Sequence, residues 1–161
     1  MTPLASLCQR NLDLLQRLDI QHRLVEHEAV LDYPTAHAVR QRFGLRGVES
    51  KSLFLRIGAQ RHAMLVTVEG ARADWGRLKA LLGSRPRIAS DEELTALTGC
   101  VPMCACPFGH DASITLLIDR AVLACDYLLY SPGPPELTLE VPGSELPRLL
   151  AAQPNAQLEY P

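Results

Sequence analysis

Two apolar, β-prone runs at residues 52–57 and 62–68, separated only by Gly58-Ala59-Gln60-Arg61, constrain the fold more than any other feature of the chain. The short connection with its glycine predicts a hairpin, and neither run alternates cleanly between apolar and polar residues, so both strands are expected to be covered on two faces. A hairpin of that kind belongs at the centre of a sheet, with helices outside it.

The flanking segments supply those helices. Leu4, Leu7, Leu14, Leu15 and Leu18 recur at spacings of three, four and seven, which predicts an amphipathic first helix ending near Asp19. Residues 22–26 read as a short strand. Residues 34–43 read as a helix with Pro34 in its first turn and Gly44 suited to a left-handed stop. Trp75, Leu78, Leu81 and Leu82 mark another helix closed by Gly83, and Ser90 with Glu93 forms a capping box opening a helix that ends at Gly99. Residues 114–118, 127–130 and 137–141 are strand candidates, and Ser144 is expected to cap a last helix running through Leu150 with Pro147 in its first turn. The irregular alternation, with at least one hairpin, predicts an α/β fold: a mixed, partly barrel-like β-sheet with surrounding helices. With 161 residues, 47% of them hydrophobic, residues 1–161 are expected to form a single domain with an ordinary core.

Composition narrows the setting. No stretch approaches the roughly 18 uncharged apolar residues of a membrane helix, and Thr2, Pro3, Arg10 and Asp13 break the layout of a signal peptide, so no membrane association and a cytoplasmic location are expected. Five cysteines, an odd number, then read as reduced thiols. The net charge of -2 conceals an asymmetry. Residues 1–88 carry 14 Lys+Arg against 8 Asp+Glu, net +6, whereas residues 89–161 carry 2 against 10, net -8. Phosphate binding depends on local charge, so the first half can offer RNA a basic face.

Lysine is scarce: Lys51 and Lys79 are the only two among sixteen basic residues. Lys51 stands at the entrance of the first hairpin strand, where a compact ammonium can meet a phosphate or carbonyl oxygen; taken alone it reads better as a surface lysine at a strand end. The segment from Gly99 to His110 is too apolar for an ordinary surface connection and predicts a pocket wall whose backbone N–H groups can face an anionic oxygen. Cys100, Cys104, Cys106 and His110 invite a zinc reading, but the spacing lacks the two-residue knuckle of structural sites and no second Cys/His cluster completes it, so no metal is expected. Nor does any partner for a thiol nucleophile stand out, leaving small buried thiols. Of the other histidines, His27 in Glu26-His27-Glu28 is best placed to approach a ligand.

In order, these segments resemble the YbaK/ProX family, single-domain relatives of the editing insertion of bacterial prolyl-tRNA synthetase. The likeness runs from about Leu14 to Leu150. It comprises Val25-Glu26-His27 followed by Thr35 and a helix, then Glu49-Ser50-Lys51-Ser52-Leu53-Phe54-Leu55-Arg56 as the lysine-bearing strand. The helix end at Gly83, the start Ala89-Ser90-Asp91-Glu92-Glu93-Leu94, Gly99-x-x-Pro102, Pro107-Phe108-Gly109 and Ile118-Asp119, opening a short turn before Leu123, follow.

What the resemblance implies is a free-standing deacylase that hydrolyses the ester between a small mischarged amino acid and the terminal adenosine of tRNA, as on Ala- or Cys-tRNA(Pro)-like substrates. Lys51 would hold the substrate end; Gly99, Cys100, Val101 and Pro102 with Pro107, Phe108 and Gly109 would shape the amino-acid pocket; His27, Thr35 and Ser131 would contribute to substrate binding. In the family the attacking water is helped by the substrate's own ribose hydroxyl, so no triad, metal or cofactor is implied. The implied partners are aminoacyl-tRNA and an aminoacyl-tRNA synthetase, with the chain a monomer or weak homodimer. The alternative is a member of the same fold that binds tRNA or a synthetase without turnover. Met103 stands where relatives commonly have glycine, and Tyr130-Ser131-Pro132-Gly133 replaces a histidine of the alanine-specific branch, so alanine specificity is not implied.

Overall fold

The structure is a computed structural model that describes residues 1–161. Its centre is the hairpin: β2 (Val48–Ile57) and β3 (Arg61–Val68) pair antiparallel from Ser50 opposite Val68 to Ile57 opposite Arg61. Phe54, Met64 and Val66 enter one core cluster and Leu55, Ala63 and Leu65 another, so both faces are covered.

The remaining strands extend the sheet to either side. On the β3 side lie β5 (Ile114–Asp119) and β8 (Gln157–Tyr160), both parallel to their neighbours. On the β2 side come β6 (Tyr127–Tyr130), parallel to β2, then β7 (Leu137–Pro142) and β1 (Arg23–Glu26), antiparallel. The order is β1-β7-β6-β2-β3-β5-β8, with the two-residue β4 (Arg87–Ile88) also on β2. It is a mixed sheet wrapped by helices, as the irregular alternation predicts.

Helix α1 (Pro3–Arg17), α4 (Asp91–Thr98) and α6 (Leu146–Ala151) cover one face, α3 (Trp75–Leu82) the other, and α2 (Tyr33–Phe43) closes a third cluster over Val25, Leu45 and Leu129. The expected stops are present: α2, α3 and α4 end on Gly44, Gly83 and Gly99 in the left-handed region, and the Ser90–Glu93 capping box is formed.

Four features depart from the sequence reading. Strand β2 begins at Val48, so Lys51 sits within the strand and not at its entrance. Ser144 makes no cap; it lies in a 3-10 turn, Gly143–Glu145, that leads into α6. The turn after Asp119 is a short helix, α5 (Arg120–Ala124), capped by the Asp119 carboxylate, which accepts the Ala121 N–H. Strands β4 and β8 were not anticipated, because two exposed residues and an edge strand leave almost no periodic signal.

Asp119 is buried and its second oxygen accepts the Thr67 hydroxyl at 2.6 Å, tying β3 to the start of α5. Thr67→Val keeps the shape but leaves that carboxylate oxygen without its donor, and is expected to lower stability by about 1.5–3 kcal/mol in urea unfolding. A loss below about 0.5 kcal/mol would contradict the tie.

Candidate active site

Strand β2 has an incomplete edge. Facing away from β3 it pairs with β6 through Val48 and Glu49 and with β4 through Leu55 and Arg56, leaving a gap between. Within that gap the Ser50 carbonyl accepts the Tyr33 hydroxyl at 3.3 Å and the Phe54 carbonyl accepts the Ala89 N–H at 2.9 Å. Backbone groups alternate edges along a strand, so the N–H and C=O of Ser52 point the same way, into the opening.

A cavity of about 470 Å³ fills this gap. Its walls are β2 from Glu49 to Phe54, the α2 face carrying Tyr33, Ala36 and Val39, the end of β6, the start of β7 and residues 103–105. Most of the lining is apolar, with a few polar groups converging, which is the usual composition of a small-molecule site. Two other clefts, of about 530 and 600 Å³, have mainly polar walls. In the first, Arg46 stacks on Tyr127 at 3.8 Å and pairs with buried Glu140, so its charges already satisfy one another.

Lys51 and Ser131 both line the cavity. The half-buried Lys51 ammonium donates to the Ala71 carbonyl at 2.9 Å, which leaves two of its three protons for other acceptors. The Ser131 hydroxyl donates to the Pro134 carbonyl at 2.7 Å and accepts the Gly133 N–H at 3.0 Å, so it holds the turn before β7. His27 stands one layer back: its Nδ1 lies 2.6 Å from the Glu28 carbonyl and its Nε2 2.7 Å from the hydroxyl of Thr138, a lining residue. A carbonyl only accepts, so Nδ1 carries a proton toward Glu28, and the other ring nitrogen steers the Thr138 hydroxyl. Thr35 lies in the first turn of α2, where its N–H meets Asp32 at 2.8 Å, and it falls off the helix face that fronts the cavity.

The apolar loop divides its work differently from the sequence expectation. Gly99 caps α4 against Pro3, and Cys100 is fully buried in the main core. Val101 and Cys104 bridge a tight turn through Pro102 and Met103, with Met103 in the left-handed region at φ 71 and 79% exposed. That conformation is one that glycine adopts more readily than methionine. Met103, Cys104 and Ala105 meet the cavity; Gly99, Cys100, Val101 and Pro102 do not. Pro107, Phe108 and Gly109, expected in the wall, do not line the cavity either. Phe108 is a core residue, and it supports the wall from behind by packing edge-on to Tyr130 with ring centroids 5.3 Å apart.

The thiols are quiet. Burial pushes Cys104 up to about 11, and Cys100 and Cys106 are likewise raised by burial. His110 turns Nε2 to the Cys106 carbonyl at 2.5 Å, and no three His, Cys, Asp or Glu side chains converge as a metal-binding group. At pH 7 a thiol shifted this far has a much smaller thiolate fraction than a free cysteine, so Cys104 is expected to react with iodoacetamide on the order of a hundredfold more slowly. Mass spectrometry of the alkylated protein checks this; labelling at the rate of a free thiol would contradict it.

Sequence reasoning missed Glu49, Tyr33 and Thr138, and missed Ser52 as more than part of a strand. Glu49 is half-buried in the lining, and burial pushes its carboxyl up to about 6, opposed by Arg40. Burial and the nearby Glu69 and Glu49 push Tyr33 up to about 12. The Ser52 hydroxyl is buried without a hydrogen-bond partner. The available signal was the polarity of Glu49-Ser50-Lys51-Ser52 inside a β run, since a polar stretch in a central strand needs a reason.

The chain resembles a hypothetical protein, APE2540, with TM-score 0.77 and 21% identity over 92% of this chain and 97% of that one. It resembles a candidate trans-editing enzyme for prolyl-tRNA synthetase with TM-score 0.72 and 23% identity over 95% of both chains. A scaffold protein used in computational epitope grafting matches with TM-score 0.73 and 21% identity, again over 95% of both. At these identities the likeness is one of fold. No curated protein sequence matches the chain significantly. The family model of the aminoacyl-tRNA editing domain matches residues 32–149. That span takes in α2, the whole of β2, the 103–105 wall and β7, and the chain belongs to the YbaK-like aminoacyl-tRNA editing-domain family.

Proposed function

We propose that residues 1–161 act as one free-standing editing domain, a trans-editing deacylase that hydrolyses the ester of a small mischarged amino acid on tRNA. The observation that carries this reading is the cavity opened where β2 loses its strand partner, with Lys51 and the backbone of Ser52 on its wall.

An aminoacyl ester is activated, so the protein needs to position it, shield it and stabilise the oxyanion. Water attacks the carbonyl carbon, the carbonyl oxygen takes negative charge, and the intermediate collapses with release of the ribose oxygen, which gains a proton. The Lys51 ammonium and the Ser52 N–H are the donors at hand for developing charge or for the adjoining phosphate. The proton acceptor for the water is the substrate's own ribose hydroxyl, the route the family resemblance implies. The apolar walls set the size limit: a small pocket rejects a larger cognate side chain far better than a large pocket rejects a smaller one.

Arg72 and Arg87 are exposed and have no acidic partner. Arg87 adjoins the cavity-lining Ile88, and Arg72 follows Ala71, the residue that holds Lys51. Both suit the phosphates of an acceptor end. The test is deacylation of tRNAs charged with alanine, serine, cysteine and proline. Turnover of at least one small amino acid is expected. Binding that weakens steeply with salt but gives no turnover on any would select the binding-only member of the fold.

A further inference from the structure

An aminoacyl-tRNA brings a positively charged α-ammonium into a cavity whose walls are mostly apolar, and a cation taken out of water needs an acceptor. Three carboxylates border the cavity: Asp32, Glu49 and Asp91. Asp32 is committed as the N-cap of α2, accepting the Thr35 N–H at 2.8 Å. Asp91 is exposed in the first turn of α4, at the rim.

Glu49 is different. Its side chain is half-buried, and it accepts no hydrogen bond and makes no ion pair within the protein. It precedes Lys51 by two residues on β2, so both side chains leave the strand on the same face, roughly 6–7 Å apart along it. The charged and titratable groups that face it come from two elements. Helix α2 brings Arg40, His37 and Tyr33, and the turn after β3 brings Glu69. Arg40 directs a guanidinium N–H to the Gly47 carbonyl at 3.5 Å, and His37 pairs with Glu69 at 2.8 Å. Each neighbour therefore has its own partner, and Glu49 is left facing the void.

We infer that the Glu49 carboxylate receives the α-ammonium of the aminoacyl group, placing the ester carbonyl between it and the Lys51–Ser52 segment. This rests on the deacylase reading and deepens it: the site takes an α-amino acid ester and discriminates against an ester of the same shape without the amine. The hydroxyl of Tyr33, held on the Ser50 carbonyl, closes the same corner and keeps α2 over the carboxylate.

The experiment compares alanyl- and seryl-tRNA with their deaminated lactyl and glyceryl forms, which replace the ammonium by a hydroxyl of nearly equal size. Wild-type protein is expected to favour the amine form in kcat/KM by about tenfold or more, a charge-assisted contact being roughly twice as strong as a neutral one. In Glu49→Gln this ratio falls toward one. The acidic limb of the wild-type pH profile, rising as Glu49 ionises through about 6, flattens in the same variant. A thermal melt at or above the wild-type temperature shows that Glu49→Gln still folds. An unchanged amine-to-hydroxyl ratio in Glu49→Gln overturns the assignment and leaves the deacylase reading standing. Wild-type protein that hydrolyses none of the charged tRNAs overturns both.

Discussion

Lys51→Ala is expected to lower kcat/KM for deacylation by about a hundred- to a thousandfold, the range seen when one preorganised donor is removed from a developing oxyanion. The expectation follows from where the strand puts the side chain. β2 runs unbroken through Lys51 with full pairing to β3, so the backbone cannot shift to compensate, and Lys51 is the only lysine or arginine lining the cavity. Its bond to the Ala71 carbonyl aims the ammonium without consuming its remaining donors. The structural loss is small by comparison, since a single hydrogen bond from a half-buried group contributes about 1 kcal/mol, or a shift of roughly 2–4 °C in Tm. Lys51→Arg should not restore activity, because a planar guanidinium fork is longer and cannot concentrate its charge at one point. Single-turnover hydrolysis of a charged tRNA by folded variant protein is the measurement. Activity within threefold of wild type would remove Lys51 from the chemistry.

The same strand shows what the sequence could and could not reveal. In the half of β2 that packs in the core, Leu53, Leu55 and Ile57 on one face and Phe54 on the other are apolar and announce the hairpin. The stretch Glu49 to Ser52, which borders the cavity, is polar because a ligand-facing wall has no need to be apolar, and pattern alone placed the start of β2, at Val48, four residues late. Helix ends were legible where a local motif enforces them, as with the Ser90–Glu93 box. Helix α5 was not, because five residues are too few to show a 3.6-residue period. The loop from Gly99 to Gly109 was legible as unusual, but apolarity cannot distinguish a pocket wall from a core plug. Cys104 and Ala105 became the former and Phe108 the latter. Glu49 was hidden for a related reason: its neighbours on α2 and after β3 are distant in sequence, and only the fold shows that none of them bonds to it.

Gly143→Ala is expected to produce the largest loss of stability, about 3 kcal/mol or more, from steric contact and not from backbone conformation. The position reads in sequence as an ordinary turn beside the expected Ser144 cap. In the structure β7 ends at Pro142 and the chain passes so close to the end of α5 that the Gly143 N–H donates to the Asp126 carbonyl at 2.7 Å. A Cβ on Gly143 would lie 1.8 Å from the Cys125 carbonyl oxygen and 2.9 Å from its carbon. Both are backbone atoms, so no side-chain rotation relieves the clash. The junction between α5 and β6 must move, or the turn must lose its hydrogen bond, and either disturbs Val122, Leu146 and Leu149 in the main core. Against a total stability of about 5–15 kcal/mol this is a large fraction, and at roughly 2–4 °C per kcal/mol the melting temperature should fall by about 6–12 °C. Gly58→Ala is the matching control: φ there is +63 and no atom lies within 4 Å of a new Cβ, so only the left-handed strain of about 1 kcal/mol applies. Thermal melts of the two variants should therefore separate clearly, with Gly143→Ala the lower. Equal melting temperatures would show that the α5–β6 junction yields, and that the close approach at Gly143 is a convenience of the fold and not a requirement.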